Sequence, residues 1–295
     1  MNKIYGFIGG APKCGTSSIF DVLSRMKNVT PSSPKETFYF LAKGHPLLNQ
    51  NTNFHRHGIE GFDTFFGSSK NPNYLEATSH LIYQTELIPT LKQINAKVVF
   101  VLRNPSERIQ SSFFYTQNNL GRIKQGLSFK EYSEILLSER VGQLSHWITN
   151  KQSLYVLQRE LEYSNYVSYL EQWITQLNSN IKVMFYENMI ANQEGFYVEL
   201  CDFLNIEFDA EAINNDLKNV TFEIKHKKIH FLMSKIRDMG VFKKSIFKPF
   251  KAMYKRLQSK KVSVDKNTDD LVNLNNYFYP YNRRLEQLLN KTTPW

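Results

Sequence analysis

A short apolar segment, Ile4-Tyr5-Gly6-Phe7-Ile8, runs directly into Gly9-Gly10-Ala11-Pro12-Lys13-Cys14-Gly15. The residues after it, Thr16 to Met26, place Ile19, Phe20, Val22, Leu23 and Met26 at helical spacing. Strand, glycine loop and helix in that order constrain this chain more than any other feature. A loop with few Cβ atoms lets backbone N–H groups converge on an anion, and the helix behind it adds its positive end. Lys13 contributes a full charge, and the hydroxyls of Thr16, Ser17 and Ser18 further donors. The segment reads as the opening of a phosphate-binding βα unit. Gly10 and Gly15 have the spacing of G-x-x-x-x-G-K-[ST], but Thr16 stands where that motif has lysine, and Lys13 lies two residues before Gly15. The misfit speaks against a nucleotide kinase or NTPase.

Further along, Lys97-Val98-Val99-Phe100-Val101-Leu102 is continuously apolar after its lysine, as a strand covered on both faces would be. A helix is expected from about Ser106 to Gln117. Ile181 to Tyr186 reads as a third strand, followed by a helical pattern through Gly195 to Leu204. Helical stretches are predicted over 128–137 and 153–177, and the Asn-, His-, Gly- and Ser-rich segment 44–73 as loop. An amphipathic helix is predicted over 269–289, kinked or broken at Pro280. Alternating strands and helices imply a mostly parallel sheet with helices on both faces. The expected architecture is one P-loop-like α/β domain over residues 1–295, its central sheet flanked by helices.

With 295 residues, of which 41% are hydrophobic, the chain can bury a sizeable core. No apolar run reaches the roughly 18 residues of a membrane span. The first residues lack the long apolar stretch of a signal peptide, so a cytoplasmic location is expected. Cys14 falls in a loop pattern and Cys201 in a helical one, which gives no ground for a disulfide. The seven histidines show no metal-ligand spacing, and no metal is expected. The net charge of +10 is uneven: thirteen basic residues and one acid between Lys225 and Lys261 make that stretch +12 and the remainder −2. From Lys243 to Lys261 the cations interleave with Phe242, Ile246, Phe247, Phe250, Met253 and Tyr254. That pattern suits a solvated helical face, or peripheral attachment of 225–261 to an anionic membrane surface or an acidic glycan. No nucleic-acid module is recognisable.

Two motifs together carry a family resemblance. Ala11-Pro12-Lys13-Cys14-Gly15-Thr16-Ser17-Ser18 resembles the 5′-phosphosulfate loop of sulfotransferases that use 3′-phosphoadenosine 5′-phosphosulfate (PAPS). About ninety residues on, at the end of the strongest predicted strand, Arg103-Asn104-Pro105-Ser106-Glu107-Arg108-Ile109-Gln110-Ser111 resembles that family's 3′-phosphate motif, R-[DN]-P-x-x-R-x-x-S. Lys35-Glu36-Thr37-Phe38-Tyr39-Phe40 is similar to the K-E-x-x-x-F segment of the heparan-sulfate-type and bacterial carbohydrate branch. Tyr74-Leu75-Glu76-Ala77-Thr78-Ser79 is similar to its E-[KA]-[ST]-P segment. Phe38 replaces the histidine of the 3-O-sulfotransferase type, and Ala77 and Ser79 replace the lysine and proline of E-K-[ST]-P.

The resemblance implies sulfuryl transfer from PAPS, leaving adenosine 3′,5′-bisphosphate (PAP), to a hydroxyl or amine acceptor on a carbohydrate or glycolipid. It assigns Lys13 to the leaving oxygen, and Cys14, Gly15, Thr16, Ser17 and Ser18 with it to the 5′-phosphosulfate. Arg103 and Ser111 fall to the 3′-phosphate, and Lys227 and Lys228 close over the same end of the nucleotide. Glu36 is implied as the base, with Lys35, Glu36 and Glu76 on the acceptor side. Arg108 reads as a structural ion-pair partner. The readings from other classes are a P-loop nucleotide kinase or NTPase, and a non-catalytic nucleotide-binding module that docks on membranes.

Overall fold

The computed structural model describes residues 3–68, 71–213, 222–224, 259–261 and 269–295. They divide into two compact units. The first takes in the described residues within 1–104, 165–219 and 279–295, and the second those within 105–164 and 220–278. In chain order the first unit begins with β1 (Ile4–Gly10), α1 (Thr16–Leu23), β2 (Val29–Pro31), α2 (Phe54–His57), β3 (Asn73–Glu76), α3 (Ile88–Gln93) and β4 (Lys97–Leu102). The second unit follows with α4 (Pro105–Phe114), α5 (Phe129–Leu137), α6 (Lys151–Leu157) and α7 (Glu160–Ser164). The chain returns to the first unit for α8 (Val167–Leu177), β5 (Ile181–Phe185), α9 (Tyr186–Ala191) and α10 (Gln193–Leu204). An antiparallel pair, β6 (Phe222–Ile224) and β7 (Ser259–Lys261), belongs to the second unit, and α11 (Asp269–Leu289) ends the described elements.

The five strands of the first unit form one parallel sheet in the order β2-β3-β1-β4-β5. The two most apolar strands lie side by side at its centre. Val98 to Leu102 are all fully buried, as are Phe7 and Ile8 of β1. The chain leaves β1 towards β3 and β2 and later crosses to β4, so the connections part on either side of β1. In open parallel sheets that is where ligand sites form, outside the carboxyl ends of the strands. Neighbouring residues of β1 face opposite sides. On one side, Gly6 makes room for Leu204 of α10, because a Cβ there would stand 3.2 Å from Leu204 Cδ2. On the other, Phe7 stacks on Phe62 with centroids 5.5 Å apart, and Phe40 meets both rings edge-on. The 44–73 segment is mostly loop, as predicted, yet this aromatic cluster buries part of it in the core. α8 is anchored by Trp173, fully buried, which meets Phe100 edge-on at 5.0 Å and donates to the Ile82 carbonyl at 2.8 Å.

The second unit has its own core. Phe113 of α4 stacks on Tyr132 of α5 at 5.0 Å, and the Tyr132 hydroxyl donates to the Leu157 carbonyl. Arg108, fully buried, pairs with Glu160. Its Nε donates to Ser164 Oγ at 2.9 Å, and Ser112 Oγ donates to the other Glu160 oxygen at 2.5 Å. The charges are thus paired and braced by further hydrogen bonds, the condition under which a buried ion pair is tolerated. The ion-pair reading of Arg108 holds.

Several expectations need correction. The helical stretch over 153–177 is three helices, α6, α7 and α8. Arg108 takes both the carboxylate and the main-chain oxygen of Glu160, so the first residue of α7 serves a partner outside its own helix. The first helix stops at Leu23, three residues short of Met26. The helix after Arg103 starts one residue early, with Pro105 at its head, where a missing N–H costs nothing. It then loosens into a π-turn over Tyr115–Asn119. Pro280 does not break α11, which runs unbroken from 269 to 289. Pro280 itself and its neighbour Tyr279 are exposed, which leaves the released carbonyl one turn earlier free to bond water. β2 and β3 were not foreseen as full strands, because each mixes polar residues into only three or four positions. Cys14 and Cys201 are both buried and free, as expected, and burial pushes the Cys201 thiol up to about 12. Among the described residues, no helix is long and apolar enough to cross a membrane.

Candidate active site

The carboxyl ends of β1, β3 and β4 gather the residues singled out in the first unit. β1 leads into the lysine loop, and its first amide is fixed by Ala11 N–H donating to the Val101 carbonyl of β4 at 2.8 Å. Lys13 and Gly15 both have left-handed backbones, φ 69° and 84°. A left-handed lysine costs about 1–2 kcal/mol, an outlier of the kind that collects at binding sites. Gly15 is the residue from which α1 starts, and Ser18 and Ile19 N–H both donate back to its carbonyl. The first N–H groups of a helix have no partner within the helix and carry its positive end. Thr16 is buried, Ser18 half-buried and Ser17 exposed, with Lys13 half-buried among them.

Close approach explains the glycine at 15. A Cβ there would lie 3.0 Å from Tyr186 Cδ2 and 3.0 Å from Met189 Cε, both on α9. The Tyr186 ring against which Gly15 packs also carries the Arg103 guanidinium, 5.0 Å from its centroid. A second bridge joins the same two loops. The Tyr166 hydroxyl, buried, donates to the Arg103 carbonyl at 2.9 Å and lies 3.9 Å from Cys14 Sγ. Arg103 at the end of β4 is therefore tied to the lysine loop twice, by the Tyr186 ring and by the Tyr166 hydroxyl. The Asn104 amide, next along, donates to Glu187 at 2.9 Å.

The acceptor-side residues come from the ends of β2 and β3. Glu36 is partly exposed, and its Oε1 accepts from Ser79 Oγ at 2.7 Å and from Ser79 N–H at 3.3 Å. Lys35 Nζ is 3.8 Å from the same oxygen. The Ser79 carbonyl lies 2.9 Å from where a Cβ on Gly10 would stand, so the start of the lysine loop runs directly against the segment that holds Glu36. Glu76, fully buried at the end of β3, accepts from Thr37 and Thr78. Burial pushes its carboxyl up, and the Thr78 and Thr37 donors pull against that.

Ser111 is half-exposed on α4, in the second unit, eight residues after Arg103. Lys227 and Lys228 lie outside the described residues, as does the 225–261 segment apart from Ser259–Lys261. Sequence reasoning missed Tyr166, Tyr186 and Ser79. Tyr186 had a signal, since it directly follows an apolar strand, where parallel sheets place their ligand sites. Tyr166 had none, and Ser79, although inside the 74–79 segment, had none for its bond to Glu36, because their partners lie 63 and 43 residues away.

A family model for the sulfotransferase domain matches residues 6–262, covering β1 from its third residue and the other four strands of the sheet in full. Sulfotransferase 2A2 of Rattus norvegicus is 23% identical over 148 residues, half of this chain and 44% of that protein, so the match spans less than half of the curated relative. The crystal structure of a sulfotransferase from Alicyclobacillus acidocaldarius superposes with a TM-score of 0.65 at 18% identity, covering 99% of this chain and 98% of that one. At that identity the likeness speaks for the shared fold. With the lysine loop and the Arg103 motif meeting at the ends of adjacent strands, and the family model covering both, the chain belongs to the sulfotransferase domain family.

Proposed function

We propose that this protein transfers the sulfuryl group of PAPS to a hydroxyl or amine on a carbohydrate or glycolipid, releasing PAP. One observation carries the reading: the lysine loop, Arg103 and the Glu36–Ser79 pair converge at the carboxyl ends of β1, β4, β2 and β3. The donor set suits the nucleotide. Its phosphate and sulfate oxygens only accept hydrogen bonds, and the loop offers helix-start N–H groups, three hydroxyls and the Lys13 ammonium. Bound PAPS would supply the sulfuryl group and a phosphate as its leaving group.

The chain's own residues have three tasks. Lys13 places positive charge where the leaving phosphate gains negative charge, with the loop amides and Thr16, Ser17 and Ser18 around it. Arg103 and Ser111 hold the 3′-phosphate, Arg103 with its planar fork braced on the Tyr186 ring. Lys227 and Lys228 are assigned to the same end of the nucleotide. Glu36 takes the acceptor proton while the new S–O or S–N bond forms and the bond from sulfur to the leaving phosphate oxygen breaks. Ser79 aims one oxygen of that carboxylate by donating to it, and Lys35 adds a cation on the acceptor side. The carbohydrate or glycolipid class rests on the 35–40 and 74–79 segments. Contact of 225–261 with a membrane or acidic glycan, a cytoplasmic location and a single functional domain over 1–295 complete the reading.

The test is PAPS turnover, followed as PAP release in EDTA, against p-nitrophenyl glycosides, amino sugars and simple phenols. Sulfation of a glycoside or amino sugar supports the reaction and the acceptor class. Sulfation of phenols alone would overturn the acceptor class, and ATP consumption in place of PAPS would move the protein to the kinases.

A further inference from the structure

Glu76 was placed on the acceptor side by resemblance, yet its surroundings suit a different task. Its side chain is fully buried at the end of β3, and four donors reach its two oxygens. Oε1 accepts from Thr37 N–H at 3.0 Å, Thr37 Oγ1 at 3.0 Å and Thr78 Oγ1 at 2.5 Å, and Oε2 from Thr78 N–H at 2.8 Å. The two threonines pass the constraint on. Thr78 Oγ1 accepts from Phe38 N–H at 3.2 Å, and Thr37 Oγ1 from Tyr39 N–H at 3.2 Å. Ala77 N–H donates to the Lys35 carbonyl at 3.3 Å. The segments 35–39 and 76–79 are therefore laced together, and Glu36 lies inside the lacing with its own carboxylate bonded to Ser79. Phe38, two residues beyond Glu36, is left-handed with φ 50°, a backbone that a bulky residue keeps only when its neighbours impose it.

We infer that Glu76 is a positioning residue for the reaction, a buried acceptor of four hydrogen bonds that fixes Thr37 and Thr78 and thereby the Glu36–Ser79 pair. Its chemistry explains why a carboxylate stands here. Two of the four donors are main-chain N–H groups that cannot reverse, and only an acceptor with lone pairs on both oxygens satisfies them together with two hydroxyls. An amide offers one oxygen, and whichever way it is turned its NH2 group meets a main-chain N–H that already donates, Thr78 N–H or Thr37 N–H. Burial disfavours the charged form and the four donors favour it. The inference rests on the proposed reaction for its consequence, and on the hydrogen bonds alone for its geometry.

The experiment compares wild type with Glu76→Gln in the intact chain. Amide hydrogen exchange reads the geometry. Exchange at residues 37, 38, 78 and 79 is expected to quicken at least tenfold, while β1, β4 and α1 stay as protected as in wild type. Turnover of PAPS with the best p-nitrophenyl glycoside reads the consequence. kcat is expected to fall by at least thirtyfold, with the Kd for PAP within threefold of wild type, a split that general loosening of the fold would not produce. Thr78→Val removes one hydroxyl donor at nearly constant shape, and a smaller shift in the same direction is expected. It keeps the inference testable if Glu76→Gln does not fold. Unchanged exchange at 37, 38, 78 and 79 would overturn the inference, as would unchanged kcat in a wild-type-active background. Loss of PAP affinity in step with kcat would also overturn it. A wild-type protein that neither binds PAP nor turns over PAPS would overturn the proposed reaction instead, and the exchange data would still decide whether Glu76 holds the lacing.

Discussion

The two halves of the site are held by different means. On the donor side the groups that would meet phosphate lie in one unbroken stretch, Lys13 to Ser18, shaped by left-handed residues at 13 and 15 and by the start of α1. On the acceptor side Glu36 is held from outside, by Ser79 directly and by Thr37 and Thr78 through Glu76, across 39 to 43 residues of sequence. The first half is shaped by local backbone rules and the second by contacts that exist only once β2 and β3 pair. Donor-side changes should therefore act through charge, and acceptor-side changes through position.

The largest expected effect is on the donor side. Lys13→Ala should lower kcat by about 10³-fold, because it removes charge stabilisation made as the leaving phosphate departs. PAP release assays check this, and an unchanged kcat would take Lys13 out of the chemistry. Glu36→Gln comes next, with kcat down about 10²-fold and PAP affinity unaltered. If PAP affinity fell as far as kcat, the separation of the two halves would be wrong. Arg103→Ala should weaken PAP by about tenfold or more, since a hydrogen bond to a charged group contributes roughly 1.5–3 kcal/mol. Binding of adenosine 5′-monophosphate, which lacks the 3′-phosphate, should hardly change. Equal losses for both nucleotides would place Arg103 elsewhere. The smallest effect is expected at Tyr166, whose hydroxyl ties the Arg103 carbonyl beside Cys14. Tyr166→Phe should cost about 1 kcal/mol of stability and weaken PAP a few-fold. A thermal melt and one titration would show whether the tie matters for binding or only for folding.

The same contrast explains what could be read from the sequence. The lysine loop and the Arg103 motif announce themselves because each is a contiguous string at the end of an apolar strand, and β1, β4 and β5 come close to their predicted bounds. β2 and β3 escaped, since Val29-Thr30-Pro31 and Asn73-Tyr74-Leu75-Glu76 show neither an apolar run nor clean alternation. Their strand character comes from pairing, β3 beside β1 and β2 beside β3, a tertiary cause. The breaks between α6, α7 and α8 were hidden for a similar reason, because the partner that claims Glu160 is Arg108, 52 residues away. Glu36 was legible as a residue type in a motif, whereas Ser79 and Glu76 as its support were not.

The most direct test of the account is calorimetric titration of the intact protein with PAP in EDTA, set beside ATP with Mg²⁺. Tight metal-free binding of PAP and weak binding of ATP is the predicted result, because the proposed reading sets Lys13 at the 5′ end and Arg103 at the 3′-phosphate of the nucleotide. Tight ATP binding that needs Mg²⁺, with PAP weak, would contradict it and make the loop that of a kinase or NTPase.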